Sequence, residues 1–344
     1  TVEGTFDVAN LPPVLAVMPP QFLAVDEGTQ VTLGATAADA GSDDLTFTWT
    51  WDYGPTQTST VFNDGTGPDP DASWWGTYPF AASDASTYTY GDDCACLVSL
   101  RVDDDDGGSV VFTTTVQVVN VAPVFDGEIT ASVTADLTLR VAGEKYHDVT
   151  LTIFNGATSV AAASIVRMPG SPDDQSTRIL DARLDVFGGA MSAMIVYTPL
   201  DDPINGQVWG ADPAWVTLTG RNGEQVRIHH TFNVRHPDTW VWVIADFRPL
   251  LVGFPIDFAV PVADVGSDDL TTTILFGDGS GFTHVGFNDG SGPDPFPSPD
   301  VHPVAFIVRT AHAYATAGVF TVVFTTMDDD GGVVIVTRTI DLSP

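Results

Sequence analysis

Asp103-Asp104-Asp105-Asp106-Gly107-Gly108 stands between two apolar runs, residues 97–102 and 110–118. Asp328-Asp329-Asp330-Gly331-Gly332 stands in the same way between residues 319–325 and 333–340. Two β-rich runs closed by an Asp-Gly-Gly turn spell a hairpin, because glycine supplies the positive φ that a tight turn needs. From Asp104 to Asp328 the spacing is 224 residues, and it can be followed upstream. Gly41-Ser42-Asp43-Asp44-Leu45-Thr46 returns as Gly266-Ser267-Asp268-Asp269-Leu270-Thr271, an offset of 225. Phe62-Asn63-Asp64-Gly65 returns as Phe287-Asn288-Asp289-Gly290, again at 225. A drift of one residue between positions 41 and 104 marks a duplicated domain.

Working outward, residues 14–123 form the first repeat and 248–344 the second. Alternation at residues 30–35 and 45–51 reads as strands, and Gly, Pro and Asp clusters mark the turns. Residues 124–247 share none of the repeat motifs and hold eight of the twelve basic residues. Alternating runs there at 137–141, 149–154, 193–197, 215–218, 226–234 and 240–244 predict another β-sandwich, while 159–167 fits helix or strand. The expectation is an all-β chain of three sandwich domains in tandem.

Residues 1–13 do not fit that division. The stretch from Phe6 to Val14 matches 116–124, the last strand of the first repeat and its outgoing linker, in both pattern and the placing of Asn10 and Asn120. Thr5, Phe6, Asp7 and Val8 with Asn10 therefore read as a final strand and linker without a domain of their own. Such a strand is an aggregation liability unless it has an acceptor. Pairing with another copy is the expectation, and a contact between opposite ends of one chain propagates as an open fibre. A start at Thr1 points to a processed chain.

The net charge is −33, from 45 acidic and 12 basic residues. Five of the acids are Glu, leaving 40 Asp, and one lysine is present, Lys145. Asp beside Gly, Pro and Asn suits turns and hard-cation ligands. Adaptation to high salt gives the same balance. Nucleic acid is a poor partner for this surface, and no apolar run has membrane-spanning length.

The repeats resemble the PKD domain, an immunoglobulin-like sandwich of extracellular and cell-surface proteins. The likeness rests on Trp51-Asp52-Tyr53-Gly54 and Phe276-Gly277-Asp278-Gly279, and on His312-Ala313-Tyr314 followed by Gly318-Val319-Phe320-Thr321-Val322. Pro55 and Cys94 depart from the pattern in the first copy. The resemblance implies that the incoming linker and two loops share one pole. Asp39, Asp43, Asp44, Asp103, Asp104, Asp105 and Asp106 gather there with Asn10. Asp264, Asp268, Asp269, Asp328, Asp329 and Asp330 form the second set. Calcium, which takes about six to eight oxygens in loose geometry, is the expected ligand; solvated turn residues are the alternative. Asn63, Asp64, Asp69 and Asp71, with Asn288, Asp289 and Asp294, form a second candidate loop.

Cys94 and Cys96 are the two cysteines, and their spacing leaves a buried thiol pair and a disulfide both open. His229, His230 and His236 lack metal-site spacing. No nucleophile elbow or phosphate loop is present, so no enzyme is expected. Trp74 and Trp75 are expected at the surface, meeting a protein partner or a polysaccharide. The expected function is an extracellular subunit polymerising head to tail into a filament or layer. The alternative is a non-catalytic spacer or carbohydrate-binding segment of a larger secreted hydrolase or adhesin.

Overall fold

The computed structural model describes residues 9–65, 67, 76–142, 146–155, 158–166, 174–187, 191–199, 211–233, 240–245, 248–288, 292 and 302–343. Alternating apolar and Thr- or Ser-rich positions make strands throughout, and among the described residues no α-helix interrupts them. No helix there is long and apolar enough to cross a membrane.

The first repeat is a two-layer sandwich. One layer runs β1 (Val14–Val17), β3 (Gln30–Asp39), β6 (Phe80–Thr89); the other runs β2 (Phe22–Asp26), β8 (Ser109–Val119), β7 (Cys94–Asp104), β4 (Leu45–Trp51), β5 (Thr56–Val61). Every second residue of β4 faces inward, so Leu45, Phe47, Trp49 and Trp51 are each at most 1% exposed. Strand β2 pairs in parallel with β8 and covers its outer edge. Cys94 and Cys96 are joined as a disulfide within the core face of β7, with Cα atoms 5.3 Å apart. That separation is shorter than the roughly 6.6 Å of an extended strand and lies within disulfide reach.

The middle segment supplies β9 (Thr130–Ala142), β10 (Tyr146–Asn155), β11 (Thr158–Val166), β12 (Asp174–Asp185), β13 (Met191–Pro199), β14 (Ala211–Thr219), β15 (Gln225–Asn233) and β16 (Trp240–Ala245). The second repeat supplies β17 (Ile256–Asp264), β18 (Leu270–Leu275), β19 (Gly281–Gly286), β20 (Val304–His312), β21 (Val319–Met327) and β22 (Val333–Asp341). The stretch left open between helix and strand is strand β11.

The middle segment and the second repeat share a sheet. Strand β9 pairs with β12 and β14 on the middle side and with β17 of the second repeat, in the order β15-β14-β9-β17-β20. Their core is continuous from Ile129 to Leu342; Phe187, for example, packs 6.2 Å from the rings of both Phe258 and Phe324. Among the described residues two apolar cores are buried, and pairing and packing both bridge the expected boundary at 247/248.

The reason lies in the register. In the first repeat Val14 pairs with Ala38, and in the second Val124 bridges Ala263. Ala38 and Ala263 differ by 225, but Val14 and Val124 differ by 110. Equally, Gly28 donates to the carbonyl of Tyr90 at 2.8 Å, and Gly253 to that of Tyr314 at 2.8 Å, the glycines 225 apart and the tyrosines 224. The second repeat therefore begins at Val124, and the middle segment enters it where the first repeat has the short connection 18–21 between β1 and β2. A surface connection tolerates such an insertion at small entropic cost. Where the first repeat has β2, the second has a 3-10 turn, Arg248–Leu251, and its sheet β19-β18-β21-β22 ends on β22.

Candidate metal centre

The strands of each sandwich end inward on a carboxylate. In β3 the alternation closes on Asp39, 2% exposed, and in β7 on Asp104, 6% exposed. Asp39 Oδ1 accepts the Gly41 N–H at 2.6 Å, and Asp104 Oδ1 accepts the Gly108 N–H at 2.5 Å. The linker joins them, with Asn10 Nδ2 donating to Asp104 Oδ2 at 3.0 Å. Carboxylate oxygens of Asp39, Asp43 and Asp104 lie within 4.8 Å of one another. Burial, then the nearby charges of Asp39 and Asp105, push Asp43 up to about 6.

Other acids expected at this pole do different work. Asp44 Oδ1 accepts the Asn63 N–H at 2.8 Å, and Asp105 Oδ1 accepts the Asp44 N–H at 3.0 Å, so both brace loops. Asp103 turns outward to Arg101, 2.6 Å away, and Asp106 is exposed.

The second repeat reproduces this pole in detail. Asp264 ends β17 and accepts the Gly266 N–H at 2.9 Å; Asp328 accepts the Gly332 N–H at 2.6 Å. Asp269 and Asp329 brace as their counterparts do, Asn288 N–H donating to Asp269 at 3.1 Å and Asp269 N–H to Asp329 at 3.0 Å. Oxygens of Asp264, Asp268 and Asp328 lie within 4.8 Å of one another, all three residues buried.

Here the poles diverge, because the first repeat sits directly on the second. Ser267 N–H donates to the Gly91 carbonyl at 2.6 Å, Ser267 Oγ–H to the same oxygen at 3.0 Å, and Val121 N–H to Glu27 Oε1 at 2.7 Å. A Cβ on Gly28, whose φ is +68°, would stand 2.8 Å from the Val265 carbonyl oxygen, and one on Gly266 would meet the Glu27 carboxylate at 2.8 Å. The contact admits no side chain at Gly28, and one at Gly266 would displace the Glu27 carboxylate. The base of the first repeat brings its own acids into it. Glu27, Asp92 and Asp268 form a second buried triad, and Asp92, Asp93 and the exposed Asp330 form a further, more open group, each with oxygens within 4.8 Å of one another.

Like charges in low dielectric hold on to protons. Burial first, then the charges of Asp264 and Asp92, push Glu27 up to about 8. Burial, then Glu27 and Asp264, push Asp268 up to about 9. Asp330 rises to about 7 through burial and a hydrogen-bond contact with Asp92. Glu27 Oε2, Asp264 Oδ2, Asp268 Oδ2 and Asp328 Oδ2 are fully enclosed and meet no hydrogen-bond donor. An unpaired buried carboxylate oxygen is costly. The all-oxygen donor set fits a hard divalent cation and offers no nitrogen or sulfur to a softer one.

Glu27, Asp92 and Asp93 escape a reading of the sequence, since their counterparts in the second repeat are Val252, Thr316 and Ala317 and repeat matching passes over them. Asn63, expected in a separate loop site, instead braces Thr77, accepting its N–H at 2.7 Å and donating to its carbonyl at 2.8 Å. Thr5, Phe6, Asp7, Val8, Trp74 and Trp75 lie outside the described residues. So do Asp69, Asp71, Asp289 and Asp294 of the second candidate loop.

No protein-family model matches the chain. Nor does any curated protein. Among solved structures, latent dimeric PorU from Porphyromonas gingivalis aligns over 97% of this chain and 34% of its own, with 10% identity and a TM-score of 0.18.

Proposed function

We propose that the chain is a non-catalytic, extracellular structural subunit of PKD-like sandwiches, joined head to tail by strand addition and stiffened by calcium at its acidic poles. The observation that carries this reading is the difference between β8 and β22. In the first repeat β2 covers the outer edge of the last strand, Phe22 to Asp26 lying in parallel register with Thr115 to Val119. In the second repeat the corresponding residues are the 3-10 turn, and among the described residues no strand lies beyond β22. An open edge displays unpaired N–H and C=O groups, a template for an incoming strand.

Residues 5–8 supply a matching segment. They stand 110 positions before 115–118, which are part of β8. Donation of this strand to β22 of another copy would place the acidic pole of the first repeat next to the base of that copy's second repeat. The internal junction has the same layout, with Pro12 beside Gly108 where Ala122 lies beside Gly332. The Cys94–Cys96 disulfide agrees with an oxidising compartment.

Electron microscopy with and without residues 1–10 tests the reading. Filaments from the full chain in calcium, and their loss in the truncated chain with both sandwiches still folded, are the expected results. Filaments that persist after truncation would contradict it.

A further inference from the structure

The two triads at the internal junction share a residue. Asp268 belongs both to the set Asp264, Asp268, Asp328, contained in the second repeat, and to the set Glu27, Asp92, Asp268, which spans the repeats. Glu27 and Asp268 are 2% and 1% exposed, and each aims one oxygen without a donor into the cluster. Glu27 Oε1 is already engaged by the Val121 N–H of the linker, so its free oxygen is fixed in direction. The charge states of Glu27, Asp264 and Asp268 are set chiefly by burial, backbone N–H groups and neighbouring carboxylates.

We propose that the junction binds two calcium ions that share Asp268. One is held within the second repeat by Asp264, Asp268 and Asp328. The other bridges the repeats through Glu27 and Asp92 on one side and Asp268 on the other. The inference deepens the calcium part of the proposed function and rests on it. Five carboxylates carry five negative charges, and two divalent ions offset four of them. The remaining coordination positions of each ion go to second carboxylate oxygens, backbone carbonyls and water, as calcium's loose geometry allows.

The bridge belongs to this junction alone. The base of the second repeat has Val252, Thr316 and Ala317 in place of Glu27, Asp92 and Asp93. A copy seated on the pole of the first repeat would therefore meet Asp39, Asp43 and Asp104 with no carboxylate from those three positions. Within one chain the repeats are locked by an ion. Between copies the lock has to come from strand pairing.

The test is calorimetric titration of calcium into the chelator-stripped full chain, with hydrogen exchange at the junction as a second readout. The variants are Glu27→Gln with Asp92→Asn, which removes the bridge, and Asp39→Asn, which touches the other pole. Both replace carboxylates by isosteric amides, and the new amide at position 27 keeps an oxygen for the Val121 N–H. The double variant should lose one equivalent of calcium. Calcium should slow exchange of the Ser267 and Val121 amides at least tenfold in the wild type and in Asp39→Asn, and not in the double variant. Unchanged stoichiometry and unchanged protection in the double variant would overturn the bridge while leaving calcium at the poles intact. Absence of calcium binding to the wild type would overturn both.

Discussion

The two acidic poles are built from the same loops, and they differ in what lies on top of them. At the first pole Asp43 is half-buried and, among the described residues, the linker reaches in through Asn10 and Pro12. At the second, Asp268 is buried beneath Glu27 and Asp92 of the preceding repeat. Asp43 is pushed up to about 6, and its counterpart Asp268, deeper and beside the covering acids, to about 9. Similar local sequence thus gives a partly covered carboxylate cluster in one place and a fully buried one, joined by acids of the preceding repeat, in the other. The lesson is that the site is a property of the junction between domains.

The largest expected effect follows from removing the ion. A ligand that binds only the folded state adds about 2.7 kcal/mol at a hundredfold excess over its Kd. For a cooperative unit of 150–250 residues that is on the order of 5–10 °C in Tm. Calorimetry of the chain with and without chelator should show this loss in the transition of residues 129–342, with a smaller change in that of the first repeat. Equal shifts in the two transitions would erase the difference between the poles.

Next in size is an inversion of sign at Asp268. In chelator, Asp268→Asn removes an acid that the fold buries only by taking up a proton and should raise Tm by a few degrees; in calcium it removes a shared ligand and should lower it. Asp39→Asn should show the same inversion at smaller amplitude. A substitution at Asp268 that destabilises equally in both conditions would mean that its carboxylate serves only to hold the loop.

Acidity offers a third comparison. Glu27 and Asp268 are pushed above their ordinary values by burial and by neighbouring acids, so the folded chain binds their protons more tightly than the unfolded one. The stability this gives is full below the ordinary carboxylate range and is lost as pH rises through about 8 and 9. In chelator, lowering the pH from 9 to 5 should therefore raise Tm, and in calcium the slope should flatten as ions replace protons. The smallest effect is expected at Asp103, whose partner Arg101 is exposed. Asp103→Ala should change stability by no more than about 0.5 kcal/mol in urea unfolding.

Much of the architecture is legible in the residues, for identifiable reasons. Strand β4 begins and ends where its alternation does, Leu45 to Trp51. The acidic turns are legible because glycine and Asp recur at fixed spacing. What the chain hides is the insertion. The match between Asn10 and Asn120 reads naturally as a repeated linker, and the pairing of Val124 with Ala263 reveals that the linker leads straight into the second repeat. Among the acids, composition cannot separate ligands from braces. Asp44 and Asp269 sit one residue from Asp43 and Asp268, yet they turn to the backbone N–H groups of Asn63 and Asn288. Only the side on which each successive residue leaves the loop decides the role.

The most direct measurement is anomalous X-ray diffraction from crystals of the full chain grown in calcium, with a terbium-exchanged crystal as a stronger scatterer. The expected result is two anomalous peaks at the covered pole. One should lie among Asp264, Asp268 and Asp328, and the other between Glu27, Asp92 and Asp268. Peaks confined to Asp39, Asp43 and Asp104, or no peak at either pole, would contradict a cation site made by the junction.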